Sequence, residues 1–204
     1  MPIIKLNNRS IKDVTSLPFG VGTLIHIQSQ TASNSASISF TTGIDSTYKE
    51  YQFYFIDIAA RTQRAILGVN FSTDGGSNYN VTKTTTAFFA YHSETNDADA
   101  AVSYDTGFDL AQSTADQRLT QYITNTSDSS ACGNMSLFNP SSTTYVKHFI
   151  SCCNNMVITS DFTEYFTMNQ FVAGYGNTTS AINAVRFQMS SGNMDGTIAM
   201  FGVV

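Results

Sequence analysis

Charged side chains are scarce in this sequence, which limits the partners that we expect. Asp, Glu, Lys and Arg make up 12% of the 204 residues, about half of the roughly 25% that is usual. The net charge is −5, and the ten Lys and Arg residues do not cluster. Because binding to phosphates requires clustered cations, we expect neither nucleic acid nor an anionic membrane surface as a partner.

Cysteine is also rare, and long apolar runs are missing. The three cysteines are Cys132, Cys152 and Cys153. An odd number with one adjacent pair is not typical of a disulfide framework, so we expect reduced thiols in a protein assembled in a cytoplasm. The first residues do not follow the signal-peptide pattern, and no apolar run approaches the roughly 18 residues of a membrane span. We therefore expect neither a signal peptide nor a transmembrane helix.

Recognisable catalytic and cofactor motifs are missing as well. The sequence has no G-x-S-x-G, HExxH, GxxxxGK or GxGxxG pattern, the signatures of common hydrolases, metalloenzymes and nucleotide-binding proteins. The histidines are spread along the chain without a recognisable set of metal ligands: His26, His92 and His148. We therefore predict a protein without metal, cofactor or enzymatic activity.

A glycoside hydrolase would need two carboxylates at a defined separation, which sequence does not provide. The carboxylates considered for this role are Asp57, Asp105, Asp109 and Glu164. Because carboxylates are few overall, hydrolysis is the least favoured of the three functions that we consider.

The abundant residues are those of β-sheets. Ser and Thr together make up roughly a quarter of the chain and aromatic residues 12%, with no Trp, a composition that suits strands with a polar, uncharged outer face. From residue 23 onward, apolar positions recur with a period of two, which is typical of strands. In YQFYFIDI both alternating sets are apolar, so this strand is expected to be central and covered on both sides.

The strand pattern predicts an all-β fold. We expect one antiparallel β-sandwich over residues 19–204, jelly-roll-like, with about nine or ten strands. A hairpin turn is predicted at Asp74-Gly75-Gly76-Ser77, and a further turn at Asn139-Pro140-Ser141-Ser142. Residues 93–118 carry much of the acidic charge and a weak helical pattern, so they are interpreted as a long surface excursion.

Residues 1–18 differ from the rest and are interpreted as an arm that needs a surface to dock against; a first edge strand or a frayed terminus is the alternative. The apolar residues proposed to anchor this arm are Ile3, Ile4, Leu6, Ile11, Val14 and Leu17.

Aromatic residues in predicted loops offer a second candidate surface. They are Tyr48, Tyr79, Tyr104, Phe108 and Tyr175. Exposed rings can stack on sugars, and they can equally pack at strand ends or between subunits; we favour the packing role.

Several stretches resemble a group of phage virion proteins common in viruses of marine bacteria and cyanobacteria. They are MPIIKLNNRSIKDVTSLP, ISFTTGIDSTYKEYQFYFIDI, FSTDGGSNYN, SLFNPSSTTYVKHFIS, NTTSAINAVRF and SGNMDGTIAMFGV. The resemblance spans nearly the whole chain, departs mainly at residues 93–130 and 152–155, and includes no catalytic motif. It implies a structural role in the virion with a β-sandwich fold, and leaves open whether the location is the capsid surface or the tail.

Together, these observations predict a non-enzymatic phage virion protein, either a capsid decoration or a tail-associated subunit, assembled in the host cytoplasm. Its expected partners are other copies of itself, in a homotrimer or another ring, and other virion proteins. The alternative is a glycan-binding module of a tail or fibre that recognises the host surface.

Overall fold

The computed structural model describes residues 23–95, 99–158 and 163–204. The predicted arm and its six anchor residues, Ile3, Ile4, Leu6, Ile11, Val14 and Leu17, lie outside the described residues, so their docking role stays a prediction.

Twelve β-strands make up the described fold. They are β1 (Leu24–Ser35), β2 (Ser37–Phe40), β3 (Glu50–Ala60), β4 (Leu67–Ser72), β5 (Lys83–Ser93), β6 (Ala100–Tyr104), β7 (Gln117–Arg118), β8 (Ala131–Phe138), β9 (Lys147–Ile158), β10 (Tyr165–Gly176), β11 (Ala184–Met189) and β12 (Met194–Val203). Helices are absent from the described residues.

The strands form two sheets of unequal width. The larger sheet has the order β1-β12-β3-β8-β9-β10-β5-β6, and the smaller has the order β2-β11-β4-β7. Every pairing is antiparallel. The predicted antiparallel β-sandwich is confirmed. The strand number exceeds the nine or ten expected, because the short strands β6 and β7 lie in the segment interpreted as an excursion.

An aromatic cluster joins the two sheets at the centre of the core. Phe187 of β11 lies 5.3 Å from Phe53 and 5.2 Å from Phe55, both on β3, and 6.3 Å from Phe40 of β2, measured between ring centroids. All four side chains are almost completely buried. Tilted and edge-to-face pairs of this kind add to the stabilisation that comes from burial alone.

The second face of β3 is not covered, contrary to the prediction. Tyr51, Phe53 and Phe55 point into the core, whereas Ile56 is among the exposed large apolar residues. A bulge at Asp57, whose φ is 51°, shifts the register and returns Ile58 to the core. Such a bulge adds one residue to a strand and so changes which side chains face inward.

The described part of residues 93–118 lies mostly at the surface, as expected of an excursion, but much of its backbone pairs with the sheet. The segment contains β6 and β7 and no helix in its described part. Its backbone also pairs with the start of β5: Lys83 N donates to Ser113 O at 2.8 Å, and Thr85 N donates to Leu110 O at 2.9 Å. The weak helical pattern was therefore misleading, because the segment extends the sheet edge beside β5.

Both predicted turns are present, but the prediction of a hairpin at the first is wrong, because the strands that it connects, β4 and β5, belong to different sheets. Gly75 and Gly76 have φ angles of 74° and 91°, values that residues with side chains rarely adopt. The Asp74 carboxylate accepts hydrogen bonds from Ser72 Oγ and from Asn78, and these bonds lower its pKa to about 2. At the second turn, Ser142 N donates to Asn139 O at 3.1 Å.

Candidate docking face

One face of the larger sheet is left uncovered, because the smaller sheet packs on the opposite face. We define the outer face as the outward side chains of β9, β10, β5 and β6. They are His148, Ile150, Cys152, Asn154 and Met156; Thr167, Asn169, Phe171, Ala173 and Tyr175; Thr84, Thr86, Phe88, Ala90 and His92; and Ala100, Val102 and Tyr104. These four strands are described in full, and their outward residues include no Asp, Glu, Lys or Arg.

Large apolar side chains are exposed on the outer face. The exposed fraction is 73% for Val102, 53% for Tyr104, 55% for Ile150 and 43% for Phe88. Phe88 stacks on Phe171 of the neighbouring strand, with ring centroids 4.8 Å apart and planes 11° apart. Contiguous exposed apolar groups on a folded domain are typical of a surface that contacts another molecule.

Two shallow depressions shape the outer face. The first has a volume of about 530 Å³, and its lining includes Ile150, Ala173 and Tyr175 beside Thr84, Thr86 and His148. The second has a volume of about 340 Å³, and its lining includes the neutral polar side chains of Asn154, Thr167 and Asn169. The face therefore offers both apolar area and neutral hydrogen-bonding groups, the mixture found in the contact surfaces of proteins.

The two lysines of these strands point away from the outer face. Lys83 begins β5, Lys147 begins β9, and both pair with Gly176 of β10. Both side chains are completely buried between the sheets. Lys83 Nζ donates to Asn70 Oδ1 at 2.7 Å and to Val81 O at 2.8 Å, and Lys147 Nζ donates to two backbone carbonyls. Burial lowers the pKa of Lys83 to about 8 and also lowers that of Lys147.

The three thiols are free and face different environments. Cys152 belongs to the outer face, and partial burial raises its pKa. The next residue, Cys153, points into the core, where burial raises its pKa to about 12. Cys132 is exposed on β8. A raised pKa keeps a thiol protonated and unreactive at neutral pH.

The aromatic residues predicted in loops do not form one surface. Tyr104 and Tyr175 belong to the outer face as strand residues. Tyr48 packs against the core and lies 5.8 Å from Tyr51, measured between ring centroids. The guanidinium carbon of Arg186 lies over Tyr79, 4.6 Å from the centroid of the tyrosine ring.

Phe108 packs in the core, so it is not available as an exposed ring. It is 5% exposed and belongs to the core cluster, where its ring meets Tyr122 edge-on at 6.2 Å. Arg118 covers it from the other side, 4.9 Å from the ring centroid. The segment around it folds back against the sandwich, so a ring in a predicted loop becomes part of the core.

The carboxylates considered for hydrolysis have separate partners. The Asp105 carboxylate accepts a hydrogen bond from Gln121, and the Asp109 carboxylate accepts one from Tyr104. The Glu164 carboxylate accepts hydrogen bonds from Ser93 and Thr95. Asp57 lies 3.8 Å from the thiol of Cys132.

In the described part of the chain, no group of three or more His, Cys, Asp or Glu residues is placed to hold a metal ion. The same residues contain no helix that is long and apolar enough to cross a membrane.

Sequence reasoning missed Phe88, Val102, Ile150 and Phe171 as surface residues. The stretches TTTAFFAYH, TTYVKHFISCC and YFTMNQFVAGY, which contain Phe88, Ile150 and Phe171, were interpreted as strands, whereas Val102 lies in the segment interpreted as an excursion. The sequence did not indicate which side of these strands the second sheet would cover.

Comparisons with known proteins add no relative. No family model, no curated protein and no solved structure matches this chain.

Proposed function

We propose that this chain is a non-enzymatic structural subunit of a bacteriophage virion, either a capsid decoration or a tail-associated protein. In this proposal it associates with copies of itself in a homotrimer or another ring and docks onto other virion proteins. Two observations support it: the resemblance of the sequence to phage virion proteins, and the uncovered outer face.

The observation that carries the proposal is the absence of charge on the outer face, whose four strands are described in full. The chain has a net charge of −5, so two copies repel each other at most relative orientations. A contact through uncharged strands buries no ion and brings no carboxylates together, which avoids the cost of desolvating charges. Exposed apolar groups such as Val102 and Phe88 supply the area whose burial stabilises the contact.

We infer that the occupant of the outer face is a second copy of this chain. A repeated contact between identical subunits closes into a ring when its rotation permits, and most homo-oligomers are closed, symmetric assemblies. The strand at this edge, β6, is exposed along its whole length, so its backbone is also available for pairing. The arm at residues 1–18 is proposed to anchor the ring to other virion proteins.

The Val102→Glu substitution tests the proposal in assembled particles. The new carboxylate would be buried and unpaired at the contact, which costs several kcal/mol. We therefore expect the copy number of the variant per particle to fall by roughly tenfold or more relative to wild type. Mass spectrometry of purified virions gives that number. The wild-type copy number also separates the locations, because hundreds of copies indicate the shell and about a dozen or fewer the tail.

Tyr145→Glu is the matched control. Tyr145 is 70% exposed but lies outside the strands that form the outer face, so this variant should be incorporated at the wild-type level. Normal incorporation of Val102→Glu, or equal loss of both variants, would contradict a role for the outer face.

A further inference from the structure

A cleft on the opposite side of the larger sheet has the features of a binding site. We propose that it binds one neutral pyranose ring of a glycan, through Asp99, Arg64 and the aromatic side chains around them. This inference does not depend on the virion role, because it concerns different residues and a different ligand.

The cleft exists because the two sheets differ in strand length. The strands β5, β9 and β10 are 11, 12 and 12 residues long, whereas β4 and β7 of the smaller sheet have 6 and 2 residues. The inner face of the long strands therefore extends past the smaller sheet. Side chains that would otherwise be covered, such as Phe89, Tyr91 and Phe166, line an open cleft of about 390 Å³, within the range of roughly 300–1,000 Å³ that is usual for small-molecule sites.

Aromatic rings form the walls of the cleft. Tyr91 meets Phe166 edge-on, with ring centroids 5.6 Å apart, and lies 6.1 Å from Phe89. Tyr122 stands at the other wall, with the guanidinium of Arg64 held 4.3 Å from its ring centroid. Aromatic rings present flat apolar faces to a ligand at low cost in side-chain entropy.

Two groups of opposite charge reach the same cleft. The Asp99 carboxylate accepts a hydrogen bond from the Tyr91 hydroxyl, and this bond raises the pKa of Tyr91. Arg64 is held by its donation to the Ile158 carbonyl and by its contact with Tyr122. Both groups are therefore fixed in place before any ligand arrives, which reduces the ordering cost of binding.

Gln121 completes the polar part of the lining. Its amide nitrogen donates hydrogen bonds to Asp105 Oδ2 at 2.6 Å and to Gln170 Oε1 at 2.7 Å. Its position is therefore fixed by neighbours behind the cleft. Polar groups held in this way are the ones that orient a ligand in a mostly apolar site.

The combination of these groups selects the ligand class. One cation and one anion in the same cleft leave no net charge for a phosphate or an ammonium group to neutralise. An entirely apolar ligand would remove Asp99 and Arg64 from water without giving them partners, which is costly. A pyranose has apolar C–H faces for the rings, hydroxyls that can donate to the carboxylate and oxygens that can accept from the guanidinium.

The test uses the full-length protein with defined probes. We would apply it to a printed array of neutral oligosaccharides and measure saturation-transfer NMR with the methyl α- and β-glycosides of glucose, galactose and mannose. The expected result is binding to at least one neutral glycan, weakened roughly 10- to 100-fold by Asp99→Asn, because hydrogen bonds to a carboxylate are stronger than those to an amide. Tyr91→Ala should lower binding by at least a similar factor.

Tyr145→Ala is the matched control. Tyr145 is 70% exposed and precedes the start of β9, at the opposite end of that strand from the cleft residues Val157 and Ile158; binding should equal that of wild type. Asp99→Asn conserves size and leaves an acceptor for Tyr91, so it reports on binding even where Tyr91→Ala lowers stability. A blank array together with no NMR signal, or unchanged binding by both cleft variants, would overturn the proposal. Incorporation of Asp99→Asn into particles should be normal, which separates this test from that of the virion role.

Discussion

Replacing Phe187 with alanine is expected to lower the free energy of unfolding by about 3–5 kcal/mol, the range measured for large aromatic truncations in cores. Phe187 is completely buried and contacts Phe53 and Phe55 across the interface between the sheets, and Phe40 on the neighbouring strand of its own sheet. The substitution removes apolar area and leaves a cavity that the surrounding strands, fixed by their ladders, can fill only in part.

Urea unfolding followed by circular dichroism measures this effect, and Phe201→Ala is the control. Phe201 lies on the uncovered side of β12, where it meets His26 and Tyr54 edge-on. We expect its truncation to cost under about 2 kcal/mol, since surface substitutions are usually mild. Equal losses for the two variants would mean that Phe187 is not at the centre of a core between two sheets.

Raising the pH from 8 to 10 is expected to stabilise the wild-type protein relative to Lys83→Met by about 2 kcal/mol. Burial lowers the pKa of Lys83 from 10.5 to about 8 in the folded state. Between these two values the unfolded chain binds more protons at this site than the folded chain does. The free energy of unfolding therefore rises with pH in this window, and the cost of burying the cation is fully present below pH 8.

Lys83→Met removes the titrating group and keeps a long side chain, so its own pH dependence comes from the other groups that the two proteins share. Chemical denaturation at pH 7, 8, 9 and 10 gives the difference between the two proteins. The exposed residue Lys49 provides the control, because Lys49→Met should follow wild type at every pH. A constant difference between wild type and Lys83→Met over this range would show that Lys83 titrates normally in the folded state.

The fold was largely predictable because alternation along a strand is a local property. The apolar set Tyr51, Phe53 and Phe55 was predicted to share one face, and it does point into the core. Whether the opposite face of a strand is covered depends on where the second sheet packs, and the pattern within one strand does not encode this. Ile56 was expected to be covered, but the smaller sheet packs on one side only, and the bulge at Asp57 was not visible in the pattern.

The candidate docking face was harder to predict, because register brings its residues together from separate parts of the chain. Phe88 lies opposite Phe171 on one side and Tyr104 on the other, and no sequence spacing encodes these pairings. Tyr104 was among the candidate contact residues only because it is an aromatic residue in a predicted loop. The cleft is a similar case, since Arg64, Asp99 and Tyr122 are neighbours only after the sheets have formed.

The central claim is that the outer face joins copies of this chain, and sedimentation velocity of the purified protein tests it most directly. We predict that the wild-type protein sediments as an assembly well above the chain mass of 22.2 kDa. Phe88→Glu should sediment at the mass of a single chain, because it places a carboxylate among the stacked rings of the contact. A wild-type protein that remains at the single-chain mass at every concentration, or a Phe88→Glu variant that assembles as wild type does, would contradict the account.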